Sequence, residues 1–433
     1  MTATATRPFG FWTATALVVG GMIGSGIFMM PAALAPFGWT GTIAWVVSIA
    51  GALSIAYALG CLTREMPNAS GAIAITGAVL GEFPGVLIGW SYWVSTWSAN
   101  AAIAIAAASY LSSIAPVLGA TPLAGALTAV GLLWALTLLN LAGAHRAGQF
   151  QVVTTILKLV PLAAVLGIAA WLGARGDPTL PALPPAGTLL GGLATAVTLT
   201  LFPLVGFEAA GAAAERVRDP ARNIMRATMI GTVVVGLIYI LVCSTIVFLL
   251  PADAVAASPA PFALFFSRFV GAGTSTLIAL FAAIAAIGAL NCWVLLQGEV
   301  PLGMARAGLL PAWFGRVSRA DVAVRVLLLS SGLASVLILT TSSPTLGGIF
   351  RFLALLTTCA TLWFYFAICL AAVRRRRAVP AAIAGLVFVA FAMSGAGWQA
   401  VALSLVLMLS AVPLYLLRPR GSAQQPPYQG SIT

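Results

Sequence analysis

The sequence predicts an all-α integral membrane protein of about twelve transmembrane helices. Three observations predict it. Of 433 residues, 61% are hydrophobic and 7% charged, against about 25% charged in soluble domains, so the chain cannot solvate a globular surface. Apolar stretches long enough to cross a hydrocarbon core of ~30 Å, roughly 20 residues of helix, follow one another along nearly the whole length. The basic residues lie between these stretches and favour alternate gaps. The net charge of +12 is therefore no nucleic-acid footprint, which would gather on one face of a soluble module.

Apolar runs read against their Pro, Gly and charged boundaries give the spans in order. The first, 11–34, follows Arg7 and runs past Pro31 without a convincing cleavage site, which makes it a span and not a secretory leader. The second, 40–61, lies between Gly38 and Arg64; the third, 86–114, between Pro84 and Pro116. The fourth, 123–141, precedes the polar pair His145 and Arg146, and the fifth, 151–172, ends before Arg175. The sixth, 189–214, follows a proline-rich stretch at 181–185, and the seventh, 227–250, lies between Arg226 and Pro251. The eighth, 275–300, stops at Pro301; the ninth, 326–341, starts after Arg325; the tenth, 346–373, ends at the run Arg374 to Arg377. The eleventh, 381–393, is short, and the twelfth, 398–416, precedes Arg418.

Cytoplasmic loops retain Lys and Arg, which sets orientation. The N-terminus and even-numbered loops hold seventeen of the twenty-one basic residues: Arg7, Arg64, Arg146, Arg216, Arg218, Arg222, Arg226, Arg306, Arg316, Arg319, Arg325, Arg374 to Arg377, Arg418 and Arg420. The odd-numbered loops hold Arg175, Arg268 and Arg351. Both termini are thus expected in the cytoplasm of a bacterial-type inner membrane. The tail, 418–433, is rich in Gln, Pro, Gly and Ser beyond Gly421 and is expected to be disordered.

Two spans carry helix breakers at mid-membrane. The first has Gly20, Gly21, Gly24 and Gly26 in GGMIGSG; Gly20 and Gly24 alone would also suit a GxxxG packing face. The sixth has Pro203, Gly206 and Gly211 around a glutamate in LFPLVGFEAAG. Interrupted segments in corresponding halves point to a transport site. Unwinding a helix in lipid leaves N–H and C=O groups unpaired at several kcal/mol each unless protein, water or substrate satisfies them. Half-helix N-termini suit a carboxylate and freed carbonyls suit an ammonium; an α-amino acid presents both.

Few charges enter the spans. Lys158, the only lysine, lies in TTILKLVPLAA; it is either functional or snorkels from the span's start at Gln151. Glu208 is the acidic residue well inside a span, where an ionised carboxylate costs several kcal/mol and so is functional, paired or protonated. Glu299, at a span's end, reads as solvated, and His145 has no metal-ligand company. Cys61, Cys243, Cys292, Cys359 and Cys369 show no C-x-x-C spacing and read as small packing residues. No metal and no cofactor are expected. Ser95, Thr96 and Asn100 in GWSYWVSTWSANAAI, Asn291 and Trp293 in GALNCWVLL, and Thr357 with Thr358 supply polar and aromatic lining. Tryptophans usually anchor at interfaces, yet Trp293 lies deep in its span and reads as part of the site.

These residues resemble the amino acid, polyamine and organocation transporter superfamily, most closely its basic amino acid/polyamine antiporter branch. The resemblance covers 11–416 and rests on VGGMIGSGIFMMP (19–31), MPNASGA (66–72), GFEAAGAAAERVRDPARNIMRA (206–227) and MARAGLLPAWF (304–314). It implies a LeuT-type fold: a ten-helix core at 11–373 made of two inverted five-helix repeats, about 11–172 and 189–373, with two peripheral helices at 374–417 behind a short cytoplasmic N-terminus at 1–10. It implies that Ile23, Gly24, Ser25 and Gly26 hold the substrate carboxylate and that backbone around Phe202, Val205 and Gly206 receives the α-amino group. Ser95, Thr96, Asn100, Ile103, Trp293 and Thr357 match side-chain contacts and gates, and Glu208 matches an acidic residue linked to protons. Phe202 stands where arginine/agmatine antiporters carry tryptophan. Lys158 resembles a lysine whose ammonium takes the place of sodium in other branches. Both departures weaken a claim to arginine itself.

The function expected is sodium-independent antiport of a cationic amino acid or amine by alternating access. The alternatives are proton-coupled symport or export of neutral amino acids, and a channel; an enzyme lacks support, since no HExxH or GxSxG motif appears. The expected partners are a small amino acid or amine, the bilayer and protons, with no nucleic acid and with a homodimer left open.

Overall fold

The computed structural model describes residues 10–24, 26–66, 72–141, 157–176, 181–208, 219–318, 322–341 and 343–417. These residues form helices and turns with no strand among them. In chain order the helices are α1 (Phe11–Met22), α2 (Gly26–Leu34), α3 (Trp39–Glu65), α4 (Ala72–Leu80), α5 (Glu82–Ile114), α6 (Pro122–Leu141) and α7 (Leu159–Ala174). There follow α8 (Ala186–Leu190), α9 (Leu193–Leu201), α10 (Pro220–Leu249), α11 (Ala252–Ala257), α12 (Pro261–Phe269) and α13 (Ala272–Arg306). The last are α14 (Val324–Thr340), α15 (Leu346–Arg374), α16 (Val379–Gly395), α17 (Trp398–Leu409) and α18 (Ala411–Leu417).

Six helical stretches among the described residues are long and apolar enough to cross a membrane: α3, 222–249 of α10, 273–306 of α13, α6, α15 and the run 398–416. This makes the chain a multi-pass membrane protein, since such surfaces cannot face water. α5 stands apart. It is 33 residues long and buried on all sides from Gly85 to Tyr110 apart from Leu87, so it is a core helix rather than a lipid-facing one. It packs most extensively on α13 and α15. The apolar window of α15 is 78% buried and that of 398–416 only 17%, which places the chain's last helices at the periphery.

The structure moves several sequence-derived boundaries. The sixth span starts at Leu193, not 189, because Gly191 and Gly192, the latter at φ +73°, separate it from the short α8. α4, α11 and α12 fall in the gaps between the spans read from the sequence; at six to nine residues each is too short to register as a span. The eleventh span is longer than expected, running Val379–Gly395. Ser25, Arg7, His145, Arg146, Arg216, Arg218, Arg319, the start of the fifth span and the tail 418–433 lie outside the described residues.

Candidate functional site

Helix α1 stops at Met22, Ile23 is extended, and α2 begins at Gly26. The second break follows α9: a 3-10 turn at Phe202–Leu204, then Val205 extended and Gly206 at φ +112°. Proline at 203 has no N–H to continue the helix, and Gly206 takes a torsion that other residues resist. The breaks touch. A Cβ on Gly26 would lie 2.8 Å from Pro203 Cβ, and one on Gly206 would lie 3.2 Å from the Gly21 carbonyl oxygen. Glycine is what lets two backbones come this close.

Between the breaks is a pocket of about 20 Å³. Gly24, Gly26, Phe202 and Val205 supply the broken backbones, and Ile103, Trp293 and Thr357 close it from α5, α13 and α15. Sequence reasoning singled out all seven. It did not single out Met22 and Ala99, which also line the pocket and have no polar group to signal it, and it noted Gly21 and Pro203 only as breakers. The volume holds about one water, so a ligand of amino-acid size needs the walls to part. The pocket's means of recognition are the N-terminal end of α2, which carries partial positive charge, and two aromatic faces, Phe202 and Trp293, which can cover an aliphatic stem or a cation. Phe350 supports Phe202 from behind with ring centroids 5.7 Å apart, edge to face.

The remaining residues singled out from sequence take other places. Ile23 is fully buried in the first break. The hydroxyls of Ser95 and Thr96 bond back within α5, to the carbonyls of Tyr92 and Trp93, each at 2.6 Å, and neither residue lines the pocket. Asn100 turns to α13, its Nδ2 donating to Gln297 Oε1 at 2.7 Å. Thr357 Oγ1 donates to Ser98 Oγ at 3.0 Å. Ser25 is outside the described residues.

Lys158 does not snorkel. It is 2% exposed, and its Nζ donates to the Gly20 carbonyl at 2.6 Å. Tyr239 on α10, unforeseen from sequence, donates its hydroxyl to the Met22 carbonyl at 2.7 Å. Two carbonyls at the frayed end of α1 are thus satisfied by side chains, as a helix terminus in an apolar medium requires.

Glu208 lies just beyond the second break, 7% exposed. Tyr92 donates to its Oε1 at 2.9 Å, while Tyr365 and the Gly206 N–H donate to Oε2 at 3.0 and 3.2 Å. Three donors from three segments converge on one carboxyl group. On its other side lies a cavity of about 310 Å³, walled chiefly by α3, α4, α10 and α13 and lined also by Tyr92 and Phe364. Glu208 therefore stands between the larger cavity and the segment that walls the small pocket. No group of three or more metal-ligating side chains occurs among the described residues, and the five cysteines are unpaired.

The model of a family described as amino acid permease matches residues 9–432. A cadaverine/lysine antiporter of Escherichia coli is 31% identical over 344 residues, 79% of this chain and 77% of its own length. A putative arginine/ornithine antiporter of Bacillus subtilis is 33% identical, covering 82% of this chain and 81% of its own. The putrescine transporter PotE of Escherichia coli is 30% identical, covering 78% and 77%.

Proposed function

The chain belongs to the amino acid permease family, and on that premise we propose that it exchanges a cationic amino acid for an amine or a second cationic amino acid across a bacterial-type inner membrane. The substrate class is supported by the chemistry its relatives are named for: lysine, cadaverine, arginine, ornithine and putrescine, each an aliphatic stem ending in an amine or guanidine. The observation that carries the site is the pocket shared by both helix breaks, with aromatic faces above it.

On this reading the substrate carboxylate sits at the break spanning Ile23, Gly24, Ser25 and Gly26, and the α-amino group at Phe202, Val205 and Gly206. Trp293 and Phe202 close over the stem. Ile103 and Thr357 wall its far end, with Ser95, Thr96 and Asn100 shaping α5 behind them. Alternating access parts the walls of the small pocket toward one side and then the other. Glu208 links that movement to protons, and Lys158 supplies at Gly20 the positive charge a sodium ion would bring. The architecture proposed is twelve crossings, the first ten as inverted repeats at about 11–172 and 189–373, with both termini cytoplasmic.

Thermal stability of the purified protein with added ligands tests the substrate class. A ligand at about 100 times its Kd adds ~2.7 kcal/mol. Lysine, ornithine, arginine or a diamine is expected to raise the melting temperature. Stabilisation by neutral amino acids with none by any of these cations would refute the reading.

A further inference from the structure

The spanning helix α10 ends at a groove. Phe248 and Leu249 at its last turn wall one side, and Ala254 on α11 and Leu264 on α12 wall the other. The groove holds about 800 Å³, within the ~300–1,000 Å³ of ligand sites. It lies at the depth of the bilayer's polar boundary. Phe248 packs on Trp39, the first residue of α3, with ring centroids 4.6 Å apart, and the Trp39 indole N–H donates to the Pro181 carbonyl at 2.9 Å. A tryptophan with its ring on apolar neighbours and its N–H on a loop, at the end of a spanning helix, belongs to an interfacial belt. The groove's lining is apolar apart from Ser267 and Arg268 on the last turn of α12. The Ser267 hydroxyl donates to the Leu264 carbonyl at 2.7 Å, so among the lining side chains the Arg268 guanidinium is the one with hydrogens left to give.

Arg268 stands at the end of the bundle that carries few basic residues: α10 and α13, which flank α12 in the chain, hold Arg222 and Arg306 at their opposite ends. The two other basic residues expected at this end lie over aromatic rings, Arg175 at 3.8 Å from the Trp171 ring centre and Arg351 at 5.8 Å from that of Phe37. Arg268 is exposed and has no hydrogen bond, ion pair or ring contact among the described residues. A guanidinium at the lip of an apolar groove, at headgroup depth, is matched by a phosphate that carries acyl chains: the fork of N–H groups fits the phosphate oxygens, and the groove fits the chains. We propose that this groove binds one anionic phospholipid, with its phosphate on Arg268 and an acyl chain along Phe248, Leu249 and Leu264. Phe262 on α12 also packs on Phe28 of α2, with ring centroids 4.9 Å apart, so the lipid lies one helix away from the first break. Binding there does not depend on which substrate the chain carries.

The test is native mass spectrometry of the purified full chain in detergent, titrated with dioleoylphosphatidylglycerol or with dioleoylphosphatidylethanolamine, whose ammonium offsets its phosphate. Wild type is compared with Arg268→Gln, which removes the charge at an exposed position, with Ala254→Trp, which fills the apolar part of the groove and keeps the arginine, and with Arg374→Gln at the Arg-rich end of the molecule. Wild type is expected to bind one phosphatidylglycerol more tightly than any further one and about tenfold more tightly than phosphatidylethanolamine, the scale of hydrogen bonds to a charged group. Both groove variants weaken that first binding by about tenfold, and Arg374→Gln leaves it unchanged. Glycerol 3-phosphate, the same phosphate without acyl chains, does not displace the lipid. Unchanged affinity in either groove variant, loss in Arg374→Gln instead, equal binding of the two lipids, or displacement by glycerol 3-phosphate overturns the proposal.

Discussion

At Gly206 a side chain is opposed twice, by a φ of +112° and by the Gly21 carbonyl 3.2 Å from where a Cβ would stand. Backbone strain of this kind costs about 1–3 kcal/mol for a non-glycine residue, and the contact would also push the two broken helices apart. Gly206→Ala is therefore expected to lower the melting temperature and abolish transport, whereas Gly20→Ala, where a Cβ meets nothing within 4 Å, leaves both near wild type. Equal behaviour of the two variants would contradict the role of close approach. Glu208 gives a second residue-level prediction. Its oxygens receive Tyr92, Tyr365 and the Gly206 N–H, so Glu208→Gln keeps the shape, forces one donor to turn away and removes the titration. The pH dependence of transport should flatten; a profile that superimposes on the parent counts against proton linkage. Both positions were legible in the sequence because a glycine or a carboxylate inside an apolar run is anomalous. Ala99 and Met22 were not, since apolar residues in an apolar span carry no signal. The hydroxyls of Ser95 and Thr96 show the converse limit: composition marks them as polar lining, but only the fold reveals that they bond back to their own helix.

Between elements, two polar ties join helices that the hydrophobic core alone would not register. Lys158, at the start of α7, holds the last turn of α1 through Gly20. Transport is expected to be unchanged when sodium is replaced by choline at fixed pH, to fail in Lys158→Ala, and to be partly impaired in Lys158→Arg, because a planar guanidinium does not replace a compact ammonium. Strict sodium dependence would rule this out. At the polar end of α3, Glu65 receives Arg375 and Arg377 from the turn after α15. Burial pushes the Glu65 carboxyl up, but the hydrogen bonds from Arg377 and Arg375 and their charges outweigh it and hold the group below the usual carboxylate range. A lowered folded pKa means the tie stabilises above the unfolded value and is lost as pH falls through the folded one. The arginines are about half exposed, so Glu65→Gln is expected to cost only about 0.2–1 kcal/mol at neutral pH, less in high salt, with no difference from wild type once the carboxyl is protonated. A neutral-pH penalty that persists unchanged in acid would contradict this. The six long apolar helices among the described residues were legible because twenty apolar residues have one solution in lipid. α4 and α12 were not: nine residues fall short of a span, and whether they form helix depends on what they pack against.

For the whole molecule, the proposed function assigns the small pocket between two broken helices to the substrate and makes the larger cavity beside Glu208 a way toward it. An antiporter, as proposed, moves one substrate in only as another moves out, whereas a channel conducts regardless of what lies opposite. The decisive measurement is uptake of labelled lysine into proteoliposomes, preloaded either with unlabelled lysine or 1,5-diaminopentane or with buffer alone. Antiport predicts rapid saturable uptake into the preloaded vesicles and little into the empty ones, with the difference abolished by Gly206→Ala. Equal uptake into empty and preloaded vesicles would contradict it.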